Sequence, residues 1–146
     1  MSFTVLFLCT GNYYRSRFAE ILFNQLAAGN PVGLRAESRG IAIELGVDNV
    51  GPISAHTLRE LDRMGIDDPS HLRFPLQVSE QDFRNANLII ALDADEHHQM
   101  MRERYPDWAH RIEYWNVPDI GGIPPEQALP AIKTKVAELI RRLAPL

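Results

Sequence analysis

Eight consecutive residues near the start of the chain, Cys9-Thr10-Gly11-Asn12-Tyr13-Tyr14-Arg15-Ser16, combine a soft nucleophile, a fixed cation and pliable backbone at a spacing that suits a phosphate dianion. Such an anion needs several donors that converge without clashing. A tight loop running into a helix supplies them, because successive backbone N–H groups point inward and the first helical N–H groups lack partners. Gly11 permits close approach or a positive φ, and Asn12 is among the few other residues that tolerate the left-handed region. Arg15 adds a planar fork able to grip two oxygens. The same electropositive field favours the thiolate of Cys9, and Ser16 stands where its hydroxyl can hydrogen-bond that sulfur. Cys9 and Arg15 are therefore expected to be catalytic, with Thr10, Gly11, Asn12, Tyr13, Tyr14 and Ser16 binding the substrate's phosphate or its flank. The competing reading is a buried, inert cysteine at a strand end.

A thiolate that displaces an alkoxide or phenoxide needs a proton donor for the leaving oxygen, and a carboxylic acid is the usual choice. Asp119, in Val117-Pro118-Asp119-Ile120-Gly121-Gly122, and Asp93, after an apolar run, are the candidates. Asp119 also suits an ordinary surface turn beside two glycines.

The elements around these residues follow from the hydrophobic pattern. Phe3-Thr4-Val5-Leu6-Phe7-Leu8 is a nearly continuous apolar run, which suits a strand buried on both faces. From Ser16 the spacing turns helical, with Phe18, Ile21, Leu22 and Leu26 on one face, until Gly29-Asn30-Pro31 stops it. Residues 34–38 read as a second strand. Ser54 caps a helix whose apolar positions are Leu58, Leu61 and Met64, closed by Gly65. Residues 88–92 form the clearest later strand, a helix follows over about 95–105, and residues 112–115 form the last strand. A final helix over about 125–143 places Ala128, Ile132, Val136, Leu139, Ile140 and Leu143 on one face. Segments 40–52 and 69–77 read as loops. This alternation implies an α/β fold with a parallel sheet covered on both sides and right-handed crossovers. Ligands in such folds bind beyond the carboxyl ends of the strands, where Cys9 lies.

Composition narrows the alternatives. The chain has 146 residues, near-average hydrophobic (45%) and charged (23%) fractions, and one cysteine, so one globular domain over residues 1–146 is expected, with no disulfide framework. A net charge of -4 argues against a non-specific nucleic-acid partner. No apolar stretch approaches a membrane span, and the short apolar start lacks the basic lead of a signal peptide. A cytoplasmic protein that binds neither nucleic acid nor membrane is the expectation. His97 and His98 are adjacent and point about 100° apart on a helix, so no metal site is expected there. Trp108 and Trp115 read as core or rim packing. Asp62-Arg63 and Arg102-Glu103-Arg104 read as solvated helix faces.

Cys-x-Gly-Asn-x-x-Arg-Ser after an amino-terminal strand resembles the signature of the low-molecular-weight protein tyrosine phosphatases. Phe18-Ala19-Glu20 is similar to that family's first helix. Ser38 and Gly40 are similar to its Ser-Ala-Gly segment with Arg39 in place of alanine. His71 stands where a histidine often occurs, and Leu92-Asp93 resembles its Met-Asp pair. The resemblance implies a flavodoxin-like three-layer sandwich, with four parallel strands and helices on both faces. It implies no metal or cofactor, a phosphocysteine intermediate, and an acid at Asp119 rather than Asp93. The chain departs from the pattern at several points. Ile120 replaces the proline after the acid, and the aromatic pair that rims the phosphotyrosine slot is absent. Arg17 replaces a helix-opening proline, which that position only prefers. Tyr13 and Tyr14 replace a small aliphatic residue and a second cysteine. Tyr13 either flanks the substrate or packs under the loop.

The expected activity is hydrolysis of a phosphomonoester, with phosphotyrosine in a protein as the default substrate, and phosphoarginine or a small aryl phosphate as alternatives. A non-catalytic phosphoprotein-binding module and an arsenate reductase using an external thiol are the competing functions.

Overall fold

Burial along the first strand, β1 (Phe3–Cys9), explains its unbroken apolar run: Val5 and Phe7 enter one core while Leu6 and Leu8 enter another. Only a strand at the centre of a covered sheet has two such faces. The computed structural model, which describes residues 2–67 and 73–144, places β1 between β2 (Leu34–Gly40) and β3 (Leu88–Ala91), with β4 (Glu113–Tyr114) beyond β3. All three pairings are parallel, in the order β2-β1-β3-β4.

Helices α1 (Arg15–Ala27), α2 (Ala55–Arg63) and α5 (Pro125–Leu143) cover one face, through Phe18, Leu22, Leu61, Ile132 and Val136 packed on Val5 and Phe7. Helices α3 (Glu80–Asn85) and α4 (Ala94–Arg104) cover the other, where Phe83 and Met101 meet Leu6 and Leu8. The result is the expected α/β three-layer sandwich. Trp115 packs on Phe7 with ring centroids 5.6 Å apart, and Trp108 stacks on Phe83 at 5.1 Å, so both tryptophans belong to the core.

Some sequence expectations are corrected. Leu26 and Leu58, assigned to apolar faces, are exposed, because their stripes are wider than the surface their neighbours cover. Helix α3 arises where no element was expected; Ser79 and Asp82 cap it reciprocally as a capping box. The last strand shortens to two residues, and segment 40–52 contains a 3-10 turn at Ile43–Gly46. Segment 69–77 and the expectation at His71 lie partly or wholly outside the described residues.

Because β2 and β3 flank β1, the chain crosses in opposite directions from β1 and opens a crevice at the carboxyl ends. The loop 9–16 leaves β1 into that crevice.

Candidate active site

The loop turns its carbonyls outward. Cys9 O accepts from Ile41 N at 2.9 Å, Thr10 O from Ala42 N at 3.0 Å and Tyr13 O from Ser54 N at 2.9 Å. Tyr14 O accepts from Phe18 N and from the Thr57 hydroxyl, both at 3.1 Å. With carbonyls tied to the surroundings, the amides face the interior of the loop, as an anion cradle requires. No side chain caps the start of α1, which leaves its first N–H groups available to the same anion.

Asn12 is the left-handed residue of the loop (φ 52), rather than Gly11. Its side chain explains the strain. Asn12 Nδ2 donates to Ser16 Oγ at 2.8 Å and Ser38 Oγ at 2.9 Å, while Oδ1 accepts from Arg73 Nη1 at 2.9 Å and Leu76 N at 3.1 Å. Ser16 Oγ, which accepts from Asn12, lies 3.0 Å from Cys9 Sγ, within hydrogen-bond reach of the sulfur.

Cys9, Gly11, Tyr13, Tyr14, Arg15 and Asp119 line one cavity of about 170 Å³, together with Asn49, Ser54 and Ile120. This is below the range of about 300–1,000 Å³ usual for whole-ligand pockets, so it suits a small charged head rather than a bulky cofactor. Arg15 is buried, with Nη1 donating to Val117 O at 3.0 Å and Nη2 to Glu96 Oε2 at 2.9 Å. Burial opposes its charge, but the Cys9 sulfur, Glu96 and Asp119 outweigh that and raise its pKa. Its Nε and the Tyr14 hydroxyl are the buried side-chain atoms without a hydrogen-bond partner among the described residues. Burial first, and then the charge of Asp119, push the Tyr14 phenol up to about 12, so it stays a neutral donor.

Asp119 lies on the rim. Its side chain is 57% exposed, with Oδ2 3.7 Å from Arg15 Nη2 and Oδ1 accepting from Ile120 N at 2.9 Å. Asp93 is buried at the end of β3, and desolvation raises its carboxyl pKa against the pull of Arg15. Asp93 does not line the cavity and Asp119 does. Among the described residues no group of three His, Cys, Asp or Glu is placed to hold a metal ion.

A family model described as low molecular weight phosphotyrosine protein phosphatase matches residues 4–119. The chain belongs to this family. It is 39% identical over 93 residues to the low molecular weight protein-tyrosine-phosphatase YfkJ of Bacillus subtilis, a match spanning 63% of this chain and 57% of that relative. Against the crystal structure of YfkJ the TM-score is 0.80, at 30% identity, covering 98% of this chain and 95% of that one. The phosphatase SP-PTP of Streptococcus pyogenes shares the fold, with a TM-score of 0.80 at 23% identity, over 98% of this chain and 93% of that one.

Within the family pattern, the departures have structural consequences. Arg17, in place of proline, is buried and donates to Pro52 O at 3.0 Å and Arg73 O at 2.8 Å. Burial, reinforced by neighbouring Arg73, lowers its pKa to about 10, which still leaves it charged at neutral pH. Tyr13 is partly buried and its hydroxyl donates to Val50 O at 2.6 Å, so the ring is fastened to the cavity wall. Arg73 ties Asn12 to Glu20 and Ser38. Sequence reasoning missed Arg73, Glu96 and His97 and gave Arg17 no structural role. Residues 69–77 read only as a loop, and no pattern in the sequence singled out Glu96.

Gly40 supports the loop by absence. A Cβ there would lie 2.9 Å from Thr10 O and 2.5 Å from Ile43 Cγ2. The isoleucine methyl can rotate away, but the Thr10 backbone cannot move without displacing the cradle. Gly40→Ala is expected to cost about 1–3 kcal/mol in denaturant unfolding, and to lower turnover by more than the unfolded fraction accounts for. Wild-type turnover in a folded variant would show that the contact is slack.

Proposed function

We propose that this chain hydrolyses phosphate monoesters of protein phosphotyrosine through a phosphocysteine intermediate. The observation that carries the reading is Cys9 Sγ, 3.0 Å from Ser16 Oγ, lining a cavity that Arg15 and Asp119 also line. Family membership favours this hydrolase over the binding module and over arsenate reduction.

In the first step the Cys9 sulfur attacks phosphorus as the bond to the phenolic oxygen breaks, and Asp119 passes its proton to that oxygen. In the second, Asp119 takes a proton from water as the water oxygen attacks phosphorus. The S–P bond then breaks, returning the electron pair to Cys9, with Ser16 steadying the departing sulfur. Loop amides and Arg15 stabilise the charge on the three equatorial oxygens throughout. Tyr13 forms one wall for the substrate ring, a role supported by its place in the cavity lining. A sulfur nucleophile works where thiols stay reduced, which supports a cytoplasmic setting.

Many turnovers per protein on a phosphotyrosyl peptide are the expected assay result. Stoichiometric binding without phosphate release would replace the enzyme by a binding module, and preference for phosphoarginine would change the substrate. Asp119→Asn should slow esters of basic leaving groups by about 100-fold or more and esters of good leaving groups far less, the effect expected of a general acid. An equal loss across the series, or a larger effect from Asp93→Asn, would move the role elsewhere.

A further inference from the structure

Arg15 is held by more than its own loop. Its Nη2 donates to Glu96 Oε2 at 2.9 Å, and the same carboxylate oxygen accepts from the Thr10 hydroxyl. It also lies 3.1 Å from His97 Nε2. His97 Nδ1 accepts from the Asp93 backbone N–H at 3.1 Å, so the ring proton sits on Nε2 and is directed at Glu96 and Thr10. His97 is completely buried. Glu96 stands in the first turn of α4, where the helix field favours a carboxylate. Burial opposes its ionisation, but hydrogen bonds from His97, Arg15 and Thr10 prevail and hold the carboxyl well below the usual range.

A carboxylate paired with the phosphate-binding arginine can either fix that arginine or compete with phosphate for it. A competitor would occupy the cavity. Glu96 does not line it, whereas Arg15 does. Arg15 Nη1 is meanwhile fixed on Val117 O, so the guanidinium is gripped at both terminal nitrogens and its Nε is left without a partner.

We propose that Glu96, anchored by Thr10 and His97, is a positioning residue for Arg15, setting the guanidinium plane so that the edge carrying Nε meets the phosphoryl oxygens. The inference rests on the phosphatase reading. As the transferring group flattens, its equatorial oxygens move to new positions, and a fork already locked there stabilises the transition state more than the ground state. Without Glu96 the fork turns about its last torsions, and that differential is lost.

Kinetics with p-nitrophenyl phosphate, beside inhibition by vanadate and by inorganic phosphate, test this. Glu96→Ala should lower kcat about 100-fold while KM moves by no more than about threefold. Vanadate, which adopts five-coordinate geometry, should weaken in step with kcat, whereas inorganic phosphate should stay within about threefold of its wild-type affinity. Glu96→Gln keeps an oxygen that can accept from Arg15 and should recover most of the loss; it also decides the matter should the alanine variant fail to fold. Unchanged kcat with tighter phosphate binding would make Glu96 a competitor and overturn the proposal. Equal weakening of vanadate and phosphate, or no recovery in the glutamine variant, would overturn it as well. A wild-type protein that binds both anions but turns over no ester would instead refute the phosphatase reading.

Discussion

Replacing Cys9 by serine is expected to remove hydrolysis of aryl phosphates almost completely, by on the order of 10⁴-fold or more, while leaving the fold and phosphate binding in place. The expectation comes from what the substitution keeps. Cys9 is 2% exposed and its sulfur lies 3.0 Å from Ser16 Oγ. A serine oxygen fits the same space and can keep that contact. The loop amides and Arg15 are untouched, so the anion still has its donors. What is lost is the nucleophile, since a neutral hydroxyl in this position attacks phosphorus far more slowly than sulfur does. Paired melting curves and phosphate titrations, read beside turnover, separate loss of chemistry from loss of structure. A serine variant with a tenth of wild-type activity would rule out attack by Cys9.

Arg15→Lys is expected to lower kcat about 10²–10³-fold, the range seen when a donor to developing transition-state charge is removed. Lysine keeps the charge but places its donors around one nitrogen. It cannot reach Val117 O and Glu96 Oε2 together while turning a planar edge toward phosphate. The substitution also leaves the Glu96 carboxylate, whose Oε2 is shared by Arg15, Thr10 and His97, less well compensated in a half-buried position. Vanadate affinity should fall with kcat, and the melting temperature should fall modestly. A lysine variant within about tenfold of wild type would mean that charge alone suffices and that fork geometry is unimportant.

The loop and the sheet were legible in the sequence because both depend on local pattern. Phe3 to Leu8 reads as a doubly buried strand from its composition, and Cys9 to Ser16 brings a thiol, a cation and a hydroxyl within eight residues. The supports of that loop were not legible, since they are made by residues distant in sequence. Arg17 meets a carbonyl 35 residues away and another 56 residues away, and Glu96 reaches Arg15 across 81 positions. Nothing in a first-turn glutamate distinguishes a partner for the loop arginine from ordinary helix-terminus preference. Leu26 and Leu58 show the converse case: their periodicity marks a face, but only the packed neighbours decide how far that face is covered.

The central claim is a covalent phosphocysteine, and its most direct test is to trap it. Wild-type protein mixed with excess p-nitrophenyl phosphate and quenched in denaturant during turnover should carry one phosphoryl group on the peptide that contains Cys9. That species should appear together with a burst of p-nitrophenol and disappear as substrate is exhausted. Phosphate found on any other residue, or sustained turnover with no burst and no phosphorylated protein at any quench time, would contradict the account.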